Sequence, residues 1–406
     1  MRSKFLVIVF FLLVLFNLTA SETRAAKAVP PPPPFGLWLE ELKQEARTRG
    51  VRAEVIEKAL SNAKQIPRVL ELDRSQPEFT QTFWSYLNRA VNDKRIQKGK
   101  ALLIKHKTLL DKVYQKYGIP PRFLVAFWGL ESNFGQYTGV FPIVDALVTL
   151  AHDRRRSAFF REQLLTVLGL IDKGDIAFDT KASWAGAMGN HQFIPTTYRD
   201  FAVDFDGDGV RDLWNTLPDI FASAANYLNG AGWDKDRTWG REVQLPKGFA
   251  YEFSDLKVRK SLSEWQKLGV RRVNGENLPS VEIEASVVLP AGYQGPAFLV
   301  YNNYRTIMIW NRSILYALAV GHLADQFVGL GPIKAKMPEN DRPLSRLDVS
   351  EIQRILSVNG FDAGGADGVV GSKTRSAIKE FQKRAGLPAD GYPSMGVFER
   401  LRGLSK

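Results

Sequence analysis

The chain has 406 residues, 45% of them hydrophobic, no cysteine and a net charge of +12. That length supports two or three domains with sizeable cores, and the missing cysteines exclude disulfides, thiolate metal sites, cysteine nucleophiles and a lipid on an N-terminal cysteine. The positive charge suits an anionic partner such as a membrane surface or a carboxylate-bearing wall polymer; no nucleic-acid-binding motif is present, so no nucleic-acid partner is expected.

Arg2 and Lys4 precede an apolar run from Phe5 to Leu18, and small residues follow at Thr19-Ala20-Ser21 and Ala25-Ala26. This is the pattern of a secretory signal peptide, assigned to residues 1–26. The run is short for a membrane span, and an uncleaved anchor is the alternative. Residues 27–34 include the run Pro30–Pro34 and form a stiff spacer.

From Phe35 the apolar spacing is helical. Leu39, Leu42 and Ala46 share a face that Gly50 ends; Val55, Ile56, Ala59 and Leu60 make a second stripe; Phe79, Phe83, Leu87 and Ala90 make a third. The stretch from Gly118 to Gly139 organises the rest. Pro120 and Pro121 suit a first helical turn. Phe123, Ala126, Phe127 and Leu130 fall on one face, and Ser132, Asn133 and Gly135 stop the helix. Glu131 therefore stands at a helix C-terminus beside apolar neighbours. The dipole and the lost hydration both favour its protonated form, which is what a general acid near neutral pH requires.

Further on, Arg154-Arg155-Arg156 reads as a solvated face or as partners for acids around a cleft. The segment Ser183-Trp184-Ala185-Gly186-Ala187-Met188-Gly189-Asn190-His191-Gln192 lacks a clean period and suits close approach of backbone to a ligand. Gln192 offers the donor and acceptor that sugar hydroxyls require, and His191 reads as a polar lining residue rather than a metal ligand. Asp204, Asp206 and Asp208 occupy positions one, three and five of an EF-hand-like loop with glycine at six, Val210 at seven and Asp212 at nine. Asn215 stands where a bidentate glutamate is usual, so a structural or modest-affinity calcium site is expected. Val243–Leu245, Val281–Val288 and Phe298–Tyr301 read as a small β-rich portion. Trp310-Asn311 pairs a ring with an amide, a combination suited to carbohydrate or to ordinary packing. A linker is expected over 332–345. A small helical unit follows over 346–406, in which Asp367-Gly368 and Asp390-Gly391 suggest a weak internal duplication.

Three stretches together, Trp128–Gly135, Ser183–Gly189 with Gln192–Pro195, and Ala202–Trp214, resemble the membrane-bound lytic transglycosylase B family of bacterial cell-wall enzymes. Ile352–Arg354, Ala366–Gly371 and Ala377–Gln382 resemble the peptidoglycan-binding module often attached to such enzymes. The resemblance implies a mainly α (α+β) chain: a lysozyme-like catalytic domain with a small β-rich portion over 35–331, and a helical wall-binding domain. It implies a periplasmic enzyme that cleaves the β-1,4 bond between N-acetylmuramic acid and N-acetylglucosamine and leaves a 1,6-anhydro end. It makes Glu131 the catalytic acid/base, and Ser183, Gln192, Trp310, Asn311 and Tyr316 the substrate contacts. Tyrosine often stands in the family where this chain has Trp310. The calcium loop Asp204, Asp206, Asp208, Val210, Asp212 and Asn215 is likewise a family feature, and the chemistry itself needs no cofactor. The partners implied are glycan strands and the proteins of wall synthesis or division.

No second acid lies in the Glu131 motif, whereas ordinary glycosidases use two carboxylates. One acid suffices if the substrate's own C6 hydroxyl attacks C1, since an intramolecular nucleophile needs no activated water. A hydrolytic muramidase, a non-catalytic wall-binding scaffold and an EF-hand calcium sensor are the alternatives.

Overall fold

A computed structural model describes residues 32–75, 81–337 and 342–404. The leader, most of the spacer and Phe79 lie outside the described residues. Helices dominate, with one five-stranded antiparallel sheet and a two-stranded ribbon.

The helix Pro121–Ser132 is the axis of the largest core. The apolar face marks it for burial, and the burial goes further than that face: Phe123 through Gly129 are buried all round, while Leu130 is only partly so. The helix is enclosed by Asp93–Lys105, Leu217–Gly230 and Ile314–Phe327, so it has no solvent side for most of its length. A second core forms around the paired helices Ile143–His152 and Ser157–Lys173. Trp310 and Tyr227 pack against both cores, and Glu131 lies at that seam.

The β-rich portion appears where the β-branched runs placed it, with strands Gly240–Gln244, Glu284–Val288 and Ala297–Val300 pairing at the centre of the sheet. It carries its own core around Trp265. Arg155 resolves as a structural clamp: its guanidinium holds both oxygens of buried Asp73 at 2.6 and 2.9 Å.

The C-terminal unit has helices Arg346–Val358, Ser372–Arg384 and Met395–Gly403 around a core of its own. The suspected duplication is real at atomic detail. Gln353 and Gln382, 1% and 3% exposed, each accept the glycine N–H of one Asp-Gly turn, from Gly368 at 2.9 Å and Gly391 at 2.8 Å. Each also donates to the aspartate of its turn, at 3.0 Å to Asp367 and 2.7 Å to Asp390. A buried amide satisfied on both ends fixes each turn in one geometry. The expected linker is tied down in part, since the carboxylate of Glu242 accepts the N–H groups of Lys334 and Ala335 at 2.7 and 2.8 Å. Asp390 also accepts the Tyr293 N–H at 2.7 Å, and Lys379 donates to the Ser254 carbonyl at 3.1 Å, which seats the unit on the sheet portion.

Candidate active site

Glu131 ends its helix because the next residues cannot continue it. Asn133, Phe134 and Gly135 all adopt the left-handed conformation, at φ 52°, 62° and 80°. Two consecutive non-glycine residues there are costly and persist only where the surroundings hold them. Here the Ser132 hydroxyl accepts the Gly135 N–H at 2.9 Å, and Phe134 packs edge-on to Trp128 at 5.7 Å. Trp128 in turn donates to Asn190 at 2.6 Å, and Asn190 donates to the carbonyls of Leu213 and Trp214. A side chain at Gly135 would come within 2.5 Å of the Asn190 oxygen, so this glycine is needed for the approach of the two segments.

The carboxylate receives two hydrogen bonds, both on Oε1. Trp310 Nε1 donates at 2.9 Å, and the Tyr316 hydroxyl donates to the same oxygen. These donors come from two helices, Asn302–Trp310 and Ile314–Phe327, that bend by 117° at residues 311–313. The bend delivers the last residue of one helix and the first turn of the next to one atom. Burial pushes the Glu131 carboxyl up to about 7, against the smaller opposing pull of Tyr316 and then Trp310. No charged group among the described residues contributes to that balance. An indole N–H can only donate, so Oε1 is held as an acceptor in both protonation states. The acidic proton therefore resides on Oε2, which carries no hydrogen bond among the described residues. Burial, and then the Glu131 charge, keep the Tyr316 phenol well above its ordinary value, so it remains a donor.

The Ser183 loop lies beside this helix end. Phe141–Pro142 pairs with Lys181–Ala182, and the Gln192 amide donates to the carbonyls of Thr138 at 3.2 Å and Gly189 at 3.0 Å. Gln192 itself sits at φ 51°, at the turn closed by the Met188–Phe193 bridge. Its donor end is thus committed to the backbone, which leaves its carbonyl oxygen as an acceptor. The Ser183 oxygen accepts the N–H groups of Ala185 at 3.3 Å and Ala187 at 3.1 Å, which leaves its hydroxyl hydrogen to donate.

Three residues take other roles than the sequence pattern gave them. Tyr316 is buried and bonded to the acid, so it acts through Glu131. The Trp310 ring is packed by Phe127 at 4.5 Å, Tyr227 at 5.0 Å and Phe193 at 5.4 Å; it is a wall of the site and a donor rather than an open stacking platform. His191 is 2% exposed, donates to the Leu124 carbonyl at 3.3 Å, and is pushed by burial down to about 4. It is a neutral core residue beneath Trp310 and does not line the site. Asn311 is exposed, and its oxygen accepts the Ser313 N–H at 3.1 Å.

In the acidic loop, oxygens of Asp204, Asp206 and Asp219 lie within 4.8 Å of one another. Asp219, missed in the sequence pattern because it lies beyond the twelve-residue loop, is fully buried in the first turn of Leu217–Gly230. Burial raises its pKa, and the charges of Asp206 and Asp204 add to that. Asp208 accepts its own loop's Val210 N–H at 2.8 Å, and Asp212 accepts the N–H groups of Trp214 at 2.7 Å and Asn215 at 3.0 Å. The side chains of Asp208, Asp212 and Asn215 are not in the cluster; the last two bond to each other at 3.1 Å, and the Asp212 N–H donates to Asp219 at 2.9 Å.

Residues 34–325 match the transglycosylase SLT domain family and residues 345–401 a peptidoglycan binding domain family. The chain belongs to this transglycosylase family. It is 30% identical over 302 residues to the membrane-bound lytic murein transglycosylase B of Escherichia coli, covering 70% of this chain and 80% of that one. SltB3 from Pseudomonas aeruginosa, solved with NAG-NAM-pentapeptide, superposes with a TM-score of 0.87 at 46% identity over 91% of this chain and 99% of that chain. The Escherichia coli Slt35 structure in complex with calcium superposes with a TM-score of 0.62 at 29% identity, over 73% of this chain and 93% of that one.

Proposed function

We propose that Glu131 alone cleaves the glycan, first as acid and then as base. The chain is a lytic transglycosylase that acts on peptidoglycan. In this reading Oε2 gives its proton to the glycosidic oxygen as the C1–O4 bond breaks. The carboxylate then takes the proton of the substrate's C6 hydroxyl while O6 bonds to C1. No water enters, and Glu131 ends protonated as it began. The single observation that carries the reading is a carboxyl poised near pH 7 by burial and two neutral donors, with no partner charge. The Ser183 hydroxyl and the Gln192 carbonyl, on the loop beside the helix end, are the groups proposed to hold the sugar, with Asn311 joining them. SltB3 has also been solved with NAG-anhNAM-pentapeptide, the type of product this reaction gives.

Digestion of purified sacculi followed by mass spectrometry tests the reading. Muropeptides ending in 1,6-anhydromuramic acid are expected; reducing ends, heavier by one water, would instead assign a hydrolytic muramidase.

The same proposal takes the catalytic unit as residues 35–331 and the wall-binding unit as 346–406, with the enzyme exported to the periplasm, where wall-synthesis or division proteins are its neighbours. Calcium belongs to it too. Asp204, Asp206 and Asp219 offer hard oxygen ligands, and buried Asp219 beside two like charges is a group that a cation would stabilise. Calcium there would brace the loop against Leu217–Gly230 without taking part in the chemistry. Calcium at a hundred times its Kd is expected to raise Tm by about 5 °C, and Asp219→Asn to remove the rise. A wild-type Tm indifferent to calcium and to chelator takes the metal out of the account.

A further inference from the structure

A cavity of about 390 Å³ lies between the catalytic domain and the C-terminal unit. Arg312, Ser313, Arg342, Gly371, Ser372 and Arg375 are among its lining residues. Three of these six are arginines, and none has a carboxylate within ion-pair distance among the described residues. Arg375 is the telling one. Its side chain lines the cavity and is part-buried there, and the lost hydration pulls its guanidinium below the ordinary value. The nearby acid, Asp390, is already occupied by neutral donors from Gln382, Tyr392 and Tyr293. Asp390 therefore acts on Arg375 only across space and makes no ion pair with it, whereas cations that lose hydration are normally paired directly.

The second feature of the cavity is independent of the arginines. Gly371 and Ser372 begin the thirteen-residue helix Ser372–Arg384, whose N-cap, Gly371, supplies no side-chain cap. Its first N–H groups and the positive end of its dipole are therefore available to an anion.

The cavity also lies close along the chain to the donors that hold the acid. Arg312 and Ser313 lie between Trp310 and Tyr316, the two donors to Glu131, and Ser313 caps the Tyr316 N–H at 3.2 Å. From Ser313 to Tyr316 the helix rises about 4.5 Å, while five extended residues of peptide reach about 17 Å. A peptide carried by a sugar at Glu131 is long enough to enter.

We propose that this interdomain cavity binds a carboxylate of the stem peptide carried by the muramic acid under attack, held by Arg375, Arg312, Arg342 and the first turn of Ser372–Arg384. The proposal deepens the peptidoglycan reading and rests on it. It makes the wall-binding unit part of the substrate site of the catalytic domain: cleavage is favoured where the strand still bears its peptide.

The test compares kcat/KM of the full chain on three soluble glycan oligomers: peptide-free, pentapeptide-bearing, and pentapeptide-bearing with every peptide carboxylate amidated. In the wild type the peptide-bearing substrate is expected to exceed the amidated one by roughly tenfold, the scale of a charge-assisted contact. Arg375→Gln should erase that ratio. Arg312→Gln, at an exposed position, should lower it in the same direction and carries the test if Arg375→Gln does not fold. A wild-type enzyme indifferent to amidation overturns the proposal, as do variants that lose activity equally on all three substrates. Formation of anhydro product from the peptide-free oligomer reports on Glu131 chemistry separately, so failure of the cavity and failure of the reaction are told apart.

Discussion

Glu131→Gln is expected to lower turnover by a factor of about 10³ or more, because the amide cannot supply the proton or take it back. The fold should survive, and binding of glycan should persist. A further effect separates this from ordinary damage. In the native chain the carboxyl holds its proton up to about pH 7, whereas its ordinary value is 4.5. Between those values the native state binds more protons than the unfolded state, so the stability contributed by protonated Glu131 is fully present below 4.5 and is lost as pH rises through about 7. A shift of this size corresponds to about 3 kcal/mol. Glutamine stays neutral throughout, so the variant should gain on the wild type by up to that amount between pH 4 and pH 8. Other buried acids such as Asp219 and Asp325 titrate in both chains and cancel in the difference. Denaturant unfolding at the two pH values measures it. A constant stability difference across that range would mean Glu131 is ordinarily ionised, and the acid assignment would fall with it.

What made Glu131 legible in the sequence is local. Two prolines open its helix, Ser132-Asn133-Phe134-Gly135 closes it, and a single acid stands at the end. What governs its proton is not local. Its two donors lie 179 and 185 residues away, and nothing in the spacing of Trp310 or Tyr316 points to the carboxylate they serve. The Trp310-Asn311 pair suggested a sugar platform because ring and amide are adjacent; tertiary packing from Phe127, Phe193 and Tyr227 turned the ring into a wall. The burial inferred for Pro121–Ser132 from one apolar face holds and extends further: a helix surrounded by others needs apolar residues on every side, and Leu124 and Val125 off the stripe supply them. The acidic loop was legible through Asp204 and Asp206, but Asp219 is supplied by the following helix, outside any loop register. In the C-terminal unit the Asp-Gly turns announced the repeat. Gln353 and Gln382, which clamp them, sit at different positions in their helices and at different distances from their turns, so their shared role was not legible from spacing.

Tyr316→Phe is the sharper test of how the acid is tuned. The hydroxyl donates to the oxygen that also takes the Trp310 N–H, and both bonds favour the ionised form. Removing one leaves burial less opposed, so the Glu131 pKa should move up from about 7, in the direction that holds the proton more tightly. Protonation of the leaving oxygen then loses driving force, although more of the enzyme is in the acid form at alkaline pH. Collection of the C6 hydroxyl proton loses the phenol that steadied the carboxylate. The expected result is a fall in kcat of roughly 10- to 100-fold with little change in KM, and an alkaline limb of the kcat–pH profile displaced to higher pH. The variant also leaves a buried carboxyl with one donor fewer, a loss of about 1–3 kcal/mol of stability. Merely loosened packing would lower kcat at every pH and leave the limb where it was. A limb displaced to lower pH would show that the phenol favours the protonated form, and the division of labour between Oε1 and Oε2 would have to be reversed.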